Sequence, residues 1–145
     1  MIESKRHRTL FVCIGNSCRS PMAEAIANAR HGDVIDAFSA GLGPATIVQA
    51  LTFSCLREMG VELDPGKSPQ QLAKADWASA DLIVNMSGHG VLPVIPNYKG
   101  NILIWYIPDP IGQPIAAYRM ARDLIQQQVD ALADALRNGT RLPGQ

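Results

Sequence analysis

The sequence predicts a three-layer α/β fold, in which a four-stranded parallel sheet lies between helices on both faces. Short runs of β-branched apolar residues alternate with longer segments of helical periodicity, an order that requires crossover connections between parallel strands. The length of 145 residues suits one domain, which we expect to span residues 1–145. The composition, 47% hydrophobic and 18% charged, is that of a globular protein.

Two strands and two helices are predicted in the first half of the chain. Residues 9–13 form an apolar run typical of a buried strand. Residues 21–30 predict a helix, because proline is tolerated in a first helical turn. Residues 34–39 predict a second strand, and residues 47–59 predict an amphipathic helix from the spacing of their apolar side chains.

The second half of the chain is predicted to begin with a short helix at residues 69–78. Strands are predicted at 81–86 and 101–107, followed by a long final helix at 114–137. In a parallel sheet, ligands bind beyond the carboxyl ends of the strands, so a functional site is expected there. The apolar stripe of the final helix comprises Tyr118, Ala121, Leu124, Ile125, Val129, Leu132 and Leu136.

Charge and hydropathy exclude several classes of partner. Thirteen Lys and Arg residues balance thirteen Asp and Glu residues, a net charge that predicts neither nucleic-acid binding nor a basic membrane anchor. No apolar run approaches the roughly 18 residues of a membrane span. The apolar stretch at 10–14 is too short for a signal-peptide core, so we expect a cytoplasmic protein, and we expect a monomer.

The three cysteines, Cys13, Cys18 and Cys55, are not expected to form a structural disulfide framework in a reducing compartment. Cys13 and Cys18 have no downstream pair of ligands at zinc-site spacing, so we expect no metal and no cofactor. Cys55 lies on the apolar stripe of the second predicted helix and is interpreted as a core thiol.

The loop from Cys13 to Ser20 lies between the first strand and the first helix, where inward N–H groups and the helix dipole form an anion cradle. A thiol that faces such a cradle is expected to ionise readily. Arg19 can fold back so that its planar fork binds two oxygens of a tetrahedral oxyanion. Gly15 permits a tight turn, Asn16 tolerates positive φ, and the Ser20 hydroxyl can donate to the thiolate.

An alternative reading makes Cys13 a small buried hydrophobe and Arg19 a surface residue. An isolated Cys-x5-Arg match would leave these readings about equal. The position of the motif between a strand and a helix favours the chemical reading, because that position supplies the inward N–H groups.

Residues 11–25 resemble the phosphate loop of the low-molecular-weight protein tyrosine phosphatases, which the related thioredoxin-coupled arsenate reductases share. They read FVCIGNSCRSPMAEA. The likeness continues in order to about residue 137, through 38–41, 56–60, 80–84 and the Asp-Pro at 109–110. The resemblance implies the four-stranded parallel sheet and a metal-free, two-step phosphoryl transfer.

The resemblance also implies roles for individual residues. Cys13 is expected to be the nucleophile that forms a cysteinyl-phosphate, Arg19 to bind the phosphoryl group, and Asp109 to be the general acid. Without the loop, Asp109 before a proline would be interpreted as a turn residue. Six further loop residues are expected to form the phosphate site, with Ser39 behind them as a supporting partner: Ile14, Gly15, Asn16, Ser17, Cys18 and Ser20.

The substrate is less well defined, because the sequence departs from the pattern of the tyrosine phosphatases. Residues 111–114 lack the aromatic side chains that usually follow the Asp-Pro, and Ser17 is polar where eukaryotic members carry an apolar residue. The sequence favours a phosphatase of phosphorylated protein, with phosphotyrosine first among the substrates and inorganic phosphate as a loop ligand. Arginine phosphatase, arsenate reductase with an external thiol, and a non-catalytic phosphate-binding module are the alternatives.

Several other residues receive interpretations of their own. Residues 85–92 contain no cysteine, so the disulfide relay of the arsenate reductases is not expected to run. Cys18 either traps an oxidised Cys13 as a disulfide or simply fits the loop. His89, between glycines, is interpreted as an exposed loop residue. The remaining aromatic and methionine candidates are assigned to the core or surface: Tyr98, Trp105 and Tyr106, with Met22, Met59, Met86 and Met120 on core faces.

Overall fold

The computed structural model describes residues 5–145, which form four strands and three α-helices. All strand pairs are parallel, in the order β2-β1-β3-β4, so the predicted sheet is confirmed. In chain order the elements are β1 (His7–Cys13), α1 (Arg19–His31), β2 (Ile35–Gly41), α2 (Ala50–Arg57), β3 (Leu82–Asn85), β4 (Asn101–Ile104) and α3 (Ile115–Asn138).

The sheet is buried on both faces, as expected for parallel strands. Phe11 of β1 packs in the core that α1, α2 and α3 form on one face. Its neighbours Leu10 and Val12 pack in the second core, which the chain between β2 and β4 covers. Because successive side chains of a strand point to opposite faces, β1 fixes both layers around itself and carries Cys13 to the carboxyl edge of the sheet.

The helix α3 buries the predicted stripe, whose Tyr118, Ile125 and Val129 are at most 2% exposed. The prediction that Met120 lies on a core face is wrong, because its side chain is 62% exposed. Two residues beyond Tyr118 on a 3.6-residue period, it is turned about 200° away from the stripe. No helix among residues 5–145 has both the length and the hydrophobicity needed to cross a membrane.

The α-helix predicted at 69–78 is wrong. The segment forms two single 3₁₀ turns, Leu72–Lys74 and Trp77–Ser79. The start of the segment bonds to the sheet, since the Gln70 carbonyl accepts a hydrogen bond from Gly41 N at 2.9 Å. Tertiary hydrogen bonding therefore overrides a local helical pattern.

Two predicted elements are shorter than expected because their ends contact neighbouring segments. β4 ends at Ile104, opposite the last residue of β3, Asn85. α2 begins at Ala50, because the preceding Gln49 donates its N–H to the carbonyl of Ser17 at 3.0 Å. The segment before α2 thus forms a hydrogen bond with the loop after β1 and does not extend the helix.

Candidate active site

The Cys13 sulfur lies at the carboxyl end of β1 and faces the first turn of α1. Cys13 as a whole is 2% exposed. The Ser20 N–H donates to Sγ at 3.4 Å, and the Ser20 Oγ lies 2.9 Å from the same sulfur. A helix N-terminus presents N–H groups and a positive potential to an anion bound in front of it. The geometry therefore matches the anion cradle expected from the sequence.

The carbonyl groups of the loop bond outward to the chain after β2. The N–H groups of Leu42, Gly43 and Ala45 donate to the carbonyls of residues 13, 14 and 15 at 2.8–3.1 Å. Thr52 Oγ1 donates to the Ser17 carbonyl at 2.8 Å. The N–H groups of residues 15–18 donate to no acceptor within residues 5–145. Because the carbonyls are held outward, these N–H groups remain available to an anion.

Asn16 holds the loop from behind, with φ at 50° and a buried side chain. Its Nδ2 donates to Ser20 Oγ at 2.8 Å and to Ser39 Oγ at 2.9 Å, and its Oδ1 accepts from Gln70 N at 2.9 Å. Asn16, Ser20 and Ser39 thus support the loop and do not line its cavity. Ser39 is in turn bonded to Glu24, at 2.6 Å.

Arg19 is buried, and two of its three nitrogens have partners. Nη1 donates to the carbonyls of Met86 and Ile107 at 2.6 and 3.0 Å, and Nη2 lies 3.4 Å from the Asp109 carboxylate. Nε is buried without a hydrogen-bond partner in residues 5–145. Nε and Nη2 form one edge of the guanidinium, the fork that binds two oxygens of a tetrahedral anion. An unpartnered buried N–H is costly, so this edge fits an anionic ligand.

Asp109 both shapes a turn and faces Arg19. Its Oδ1 accepts the Ile111 N–H at 3.1 Å and so shapes the turn. Its Oδ2 faces Arg19, and its side chain is 36% exposed. The carboxylate therefore reaches the mouth of the site from the loop after β4.

These groups surround a cavity of about 190 Å³. Its wall consists of three glycine or alanine residues, two isoleucines, and polar or ionisable residues. No aromatic side chain within residues 5–145 contributes to this wall. The lining residues are Cys13, Ile14, Gly15, Ser17, Cys18, Arg19, Gly43, Ala45, Asp109 and Ile111. The structure thus brings Cys13, Arg19 and Asp109 together, with four of the six predicted loop residues.

The other two cysteines are neutral thiols at neutral pH. Burial raises the pKa of Cys18, whose Sγ lies 3.6 Å from the Tyr118 hydroxyl. Burial raises the pKa of Cys55 to about 11. Cys55 is fully buried in the core, as the sequence predicted.

Several supporting residues were missed at the level of sequence. A Cβ on Gly41 would lie 2.6 Å from the Ile14 carbonyl oxygen, so only glycine permits β2 to approach the loop. Lys67 pairs with Glu24 at 2.7 Å and so joins the chain of hydrogen bonds behind Ser39. The local sequence carries no pattern that marks either contact, since both join segments far apart in the chain.

Replacing Asn16 with alanine is expected to lower both stability and activity. The change removes two buried hydrogen bonds and one partly buried one, and leaves Gln70 N without its acceptor, a loss of about 2–3 kcal/mol in the free energy of unfolding. Denaturant unfolding and steady-state kinetics on an aryl phosphate would measure both losses. Asn28→Ala is the matched control, because Asn28 makes two comparable bonds to Ala37 on β2, outside the site. An Asn16→Ala variant with full activity per folded molecule would contradict the supporting role.

The fold and the site together define a class of protein, one that holds a tetrahedral oxyanion against a cysteine at the end of the first strand. The family model described as low molecular weight phosphotyrosine protein phosphatase matches residues 8–142. The chain belongs to this family, as the sequence resemblance indicated.

Relatives within the family differ in their named activities. A protein-arginine-phosphatase of Geobacillus stearothermophilus is 34% identical over 143 residues, which cover 90% of this chain and 96% of the relative. An arsenate reductase of Brevibacillus brevis is 32% identical over 127 residues, 86% of this chain and 92% of the relative. The solved structure of the YwlE arginine phosphatase from Geobacillus stearothermophilus superposes with a TM-score of 0.82 at 31% identity, covering 92% and 94% of the two chains.

Proposed function

We propose that this protein is a cysteine-dependent phosphatase that acts on phosphorylated protein side chains. The observation that carries the proposal is the unpartnered Nε of Arg19, in the cavity that Cys13 also lines, beside a loop whose N–H groups are free to bind oxygens. These groups would bind the equatorial oxygens of a phosphoryl group, on which charge resides in a loose transition state.

The proposed reaction has two steps and uses no metal. The Cys13 sulfur attacks phosphorus, and the S–P bond forms as the bond to the leaving atom breaks. Asp109 donates a proton to that leaving atom. Water then attacks phosphorus and gives a proton to the Asp109 carboxylate, while the S–P bond breaks and inorganic phosphate leaves. The Ser20 hydroxyl, 2.9 Å from the sulfur, stabilises the thiolate as it departs.

We propose phosphoarginine rather than phosphotyrosine as the preferred protein substrate. A phenyl ring would find no aromatic partner in the lining of the cavity, whereas the Asp109 carboxyl group at its mouth can accept a hydrogen bond from a guanidinium N–H while it carries the proton that it donates. The 34% identical relative named as an arginine phosphatase supports the same choice. The phosphotyrosine preference predicted from the sequence thus becomes the competing hypothesis.

Matched peptides that differ only in phosphoarginine or phosphotyrosine would test this choice. The ratio of kcat/KM for the two peptides is expected to favour phosphoarginine, with a small aryl phosphate as the reference substrate. A ratio in favour of the phosphotyrosine peptide would instead support the phosphotyrosine preference that the sequence predicts. Hydrolysis of none of the three compounds would contradict the phosphatase itself.

Arsenate reduction is the second candidate, and the 32% identical arsenate reductase favours it. Arsenate has the shape and charge of phosphate and would fit the same cavity. The three cysteines are all buried and residues 85–92 contain none, so an external thiol would have to supply the electrons. Arsenate-dependent oxidation of glutathione or mycothiol, measured beside phosphatase activity, would reveal this reaction.

Asp109→Asn is expected to slow hydrolysis of phenyl phosphate by about a hundredfold or more, the usual contribution of a general acid. Hydrolysis of a nitrophenyl phosphate should suffer much less, because its phenolate leaves without a proton. Asparagine can still accept the Ile111 N–H, so the turn is retained. Equal losses of kcat on the two substrates at one pH would refute proton donation and leave Asp109 as a turn residue.

A further inference from the structure

A second cavity, of about 270 Å³, lies beside the candidate active site. It is formed by residues 86–88 after β3 and residues 105–108 after β4, and Arg19 lines both cavities. Arg19 Nη1 donates to the carbonyls of Met86 and Ile107, which belong to the two wall segments. The same buried guanidinium therefore joins the phosphoryl site to this neighbouring cavity.

The wall of the second cavity is apolar and has few free polar groups. Met86 and Trp105 are 1% and 2% exposed, and Trp105 Nε1 is already bonded to the Pro143 carbonyl. The Ser87 hydroxyl is engaged with Asn85 Oδ1 at 2.7 Å and the His89 carbonyl at 2.9 Å. The Arg19 Nη1 protons are used by two carbonyls. The cavity therefore suits an apolar group and not a second anion.

The loops around both cavities are almost without charge. Residues 42–49, 86–98 and 105–114 contain one charged residue among them, Asp109, in a chain that is 18% charged overall. Ile14 and Ile111, which line the phosphoryl cavity, are 38% and 46% exposed, and Tyr106, which lines the second one, is 88% exposed. Exposed apolar side chains at a cavity mouth are typical of a surface that binds protein.

We propose that the second cavity binds an apolar side chain of the substrate polypeptide, close in sequence to the phosphorylated residue. This subsite rests on the proposed phosphatase function and extends it to the recognition of the protein substrate. An apolar cavity of about 150 Å³ is large enough for benzene, so this one accommodates leucine or phenylalanine. In an extended peptide the side chains at alternate positions lie on one face, so the residue two positions away is the favoured occupant.

A set of phosphopeptides would test the subsite. Leucine or serine is placed in turn at each position within two residues of the phosphorylated residue, in an otherwise uncharged peptide. Each kcat/KM is divided by the value that the same enzyme gives on a small aryl phosphate. At one position the normalised kcat/KM is expected to be about five- to tenfold higher with leucine than with serine, because binding transfers much of the leucine side chain out of water.

Variants then assign the preference to the cavity. Tyr106→Ala is expected to bring the leucine-to-serine ratio close to one, whereas Tyr106→Phe, which keeps the apolar wall, retains it. Met120→Ala is the matched control, because Met120 is 62% exposed and lines neither cavity. A leucine preference that survives Tyr106→Ala, or that is absent at every position, would overturn the subsite. Concentration-dependent dimerisation that Tyr106→Ala abolishes would also overturn the subsite, because the surface would then bind a second copy of the chain.

The controls separate this proposal from the phosphatase assignment. Wild-type enzyme that hydrolyses the aryl phosphate without discriminating among the peptides contradicts only the subsite. Wild-type enzyme that hydrolyses neither the aryl phosphate nor any peptide contradicts the proposed function, and with it the subsite.

Discussion

Cys13→Ser is expected to abolish hydrolysis of every phosphorylated substrate, by at least about 10⁴-fold in kcat, the scale seen when a nucleophile is removed. Serine is close in size to cysteine, and its Oγ can keep the hydrogen bond to Ser20. A serine hydroxyl does not ionise near neutral pH, and no histidine or lysine within residues 5–145 lines the cavity to act as its base. The substitution therefore removes the proposed nucleophile and leaves the proposed anion site.

Phosphate binding separates this result from a folding defect. Calorimetric titration with inorganic phosphate is expected to give a Kd similar to that of the wild type, since the loop N–H groups and Arg19 are unchanged. Cys55→Ala is the matched control, because it removes a buried thiol that does not line the cavity and should keep turnover per folded molecule. Substantial hydrolysis by Cys13→Ser would remove Cys13 from the proposed mechanism.

Sequence patterns predicted the parts of the fold that depend on local periodicity. The run that ends in Cys13 is apolar from Leu10 onward and becomes the strand buried on both faces, at the centre of the sheet. The apolar stripe of α3 could be predicted for the same reason. The segment 69–78 could not, because the Gln70 backbone bonds Gly41 and the Asn16 side chain, and neither partner is visible in the local pattern.

The candidate site also has one part that local sequence spacing predicts and another that depends on long-range contacts. A cysteine and an arginine six residues apart, between a strand and a helix, predict an anion cradle from short-range spacing alone. The orientation of the cradle depends on long-range contacts, since Gly43, Ala45 and Thr52 hold the loop carbonyls outward. These contacts join separate segments, so only the folded structure displays them.

Arg19→Lys is expected to lower kcat/KM by roughly a hundredfold or more, although the charge is kept. A lysine offers one nitrogen, which cannot serve the carbonyls of Met86 and Ile107 and also bind two oxygens of a phosphoryl group. Loss of two charge-assisted hydrogen bonds, each worth about 1.5–3 kcal/mol, gives at least this effect. Steady-state kinetics on an aryl phosphate and the Kd for inorganic phosphate would both record it.

Arg122→Lys provides the matched control for the arginine substitution. The side chain of Arg122 is also largely buried but lines neither cavity, and its Nη1 donates to the Cys55 carbonyl at 2.8 Å and to Glu58. The control is expected to lose stability and keep its kcat/KM, whereas Arg19→Lys should weaken phosphate binding and slow turnover together. If Arg19→Lys behaved like Arg122→Lys, with a lower melting temperature and normal kinetics, the buried guanidinium would have only a structural role, linking the loops after β3 and β4. The unpartnered Nε, aimed at no protein acceptor in residues 5–145, argues that it also binds substrate.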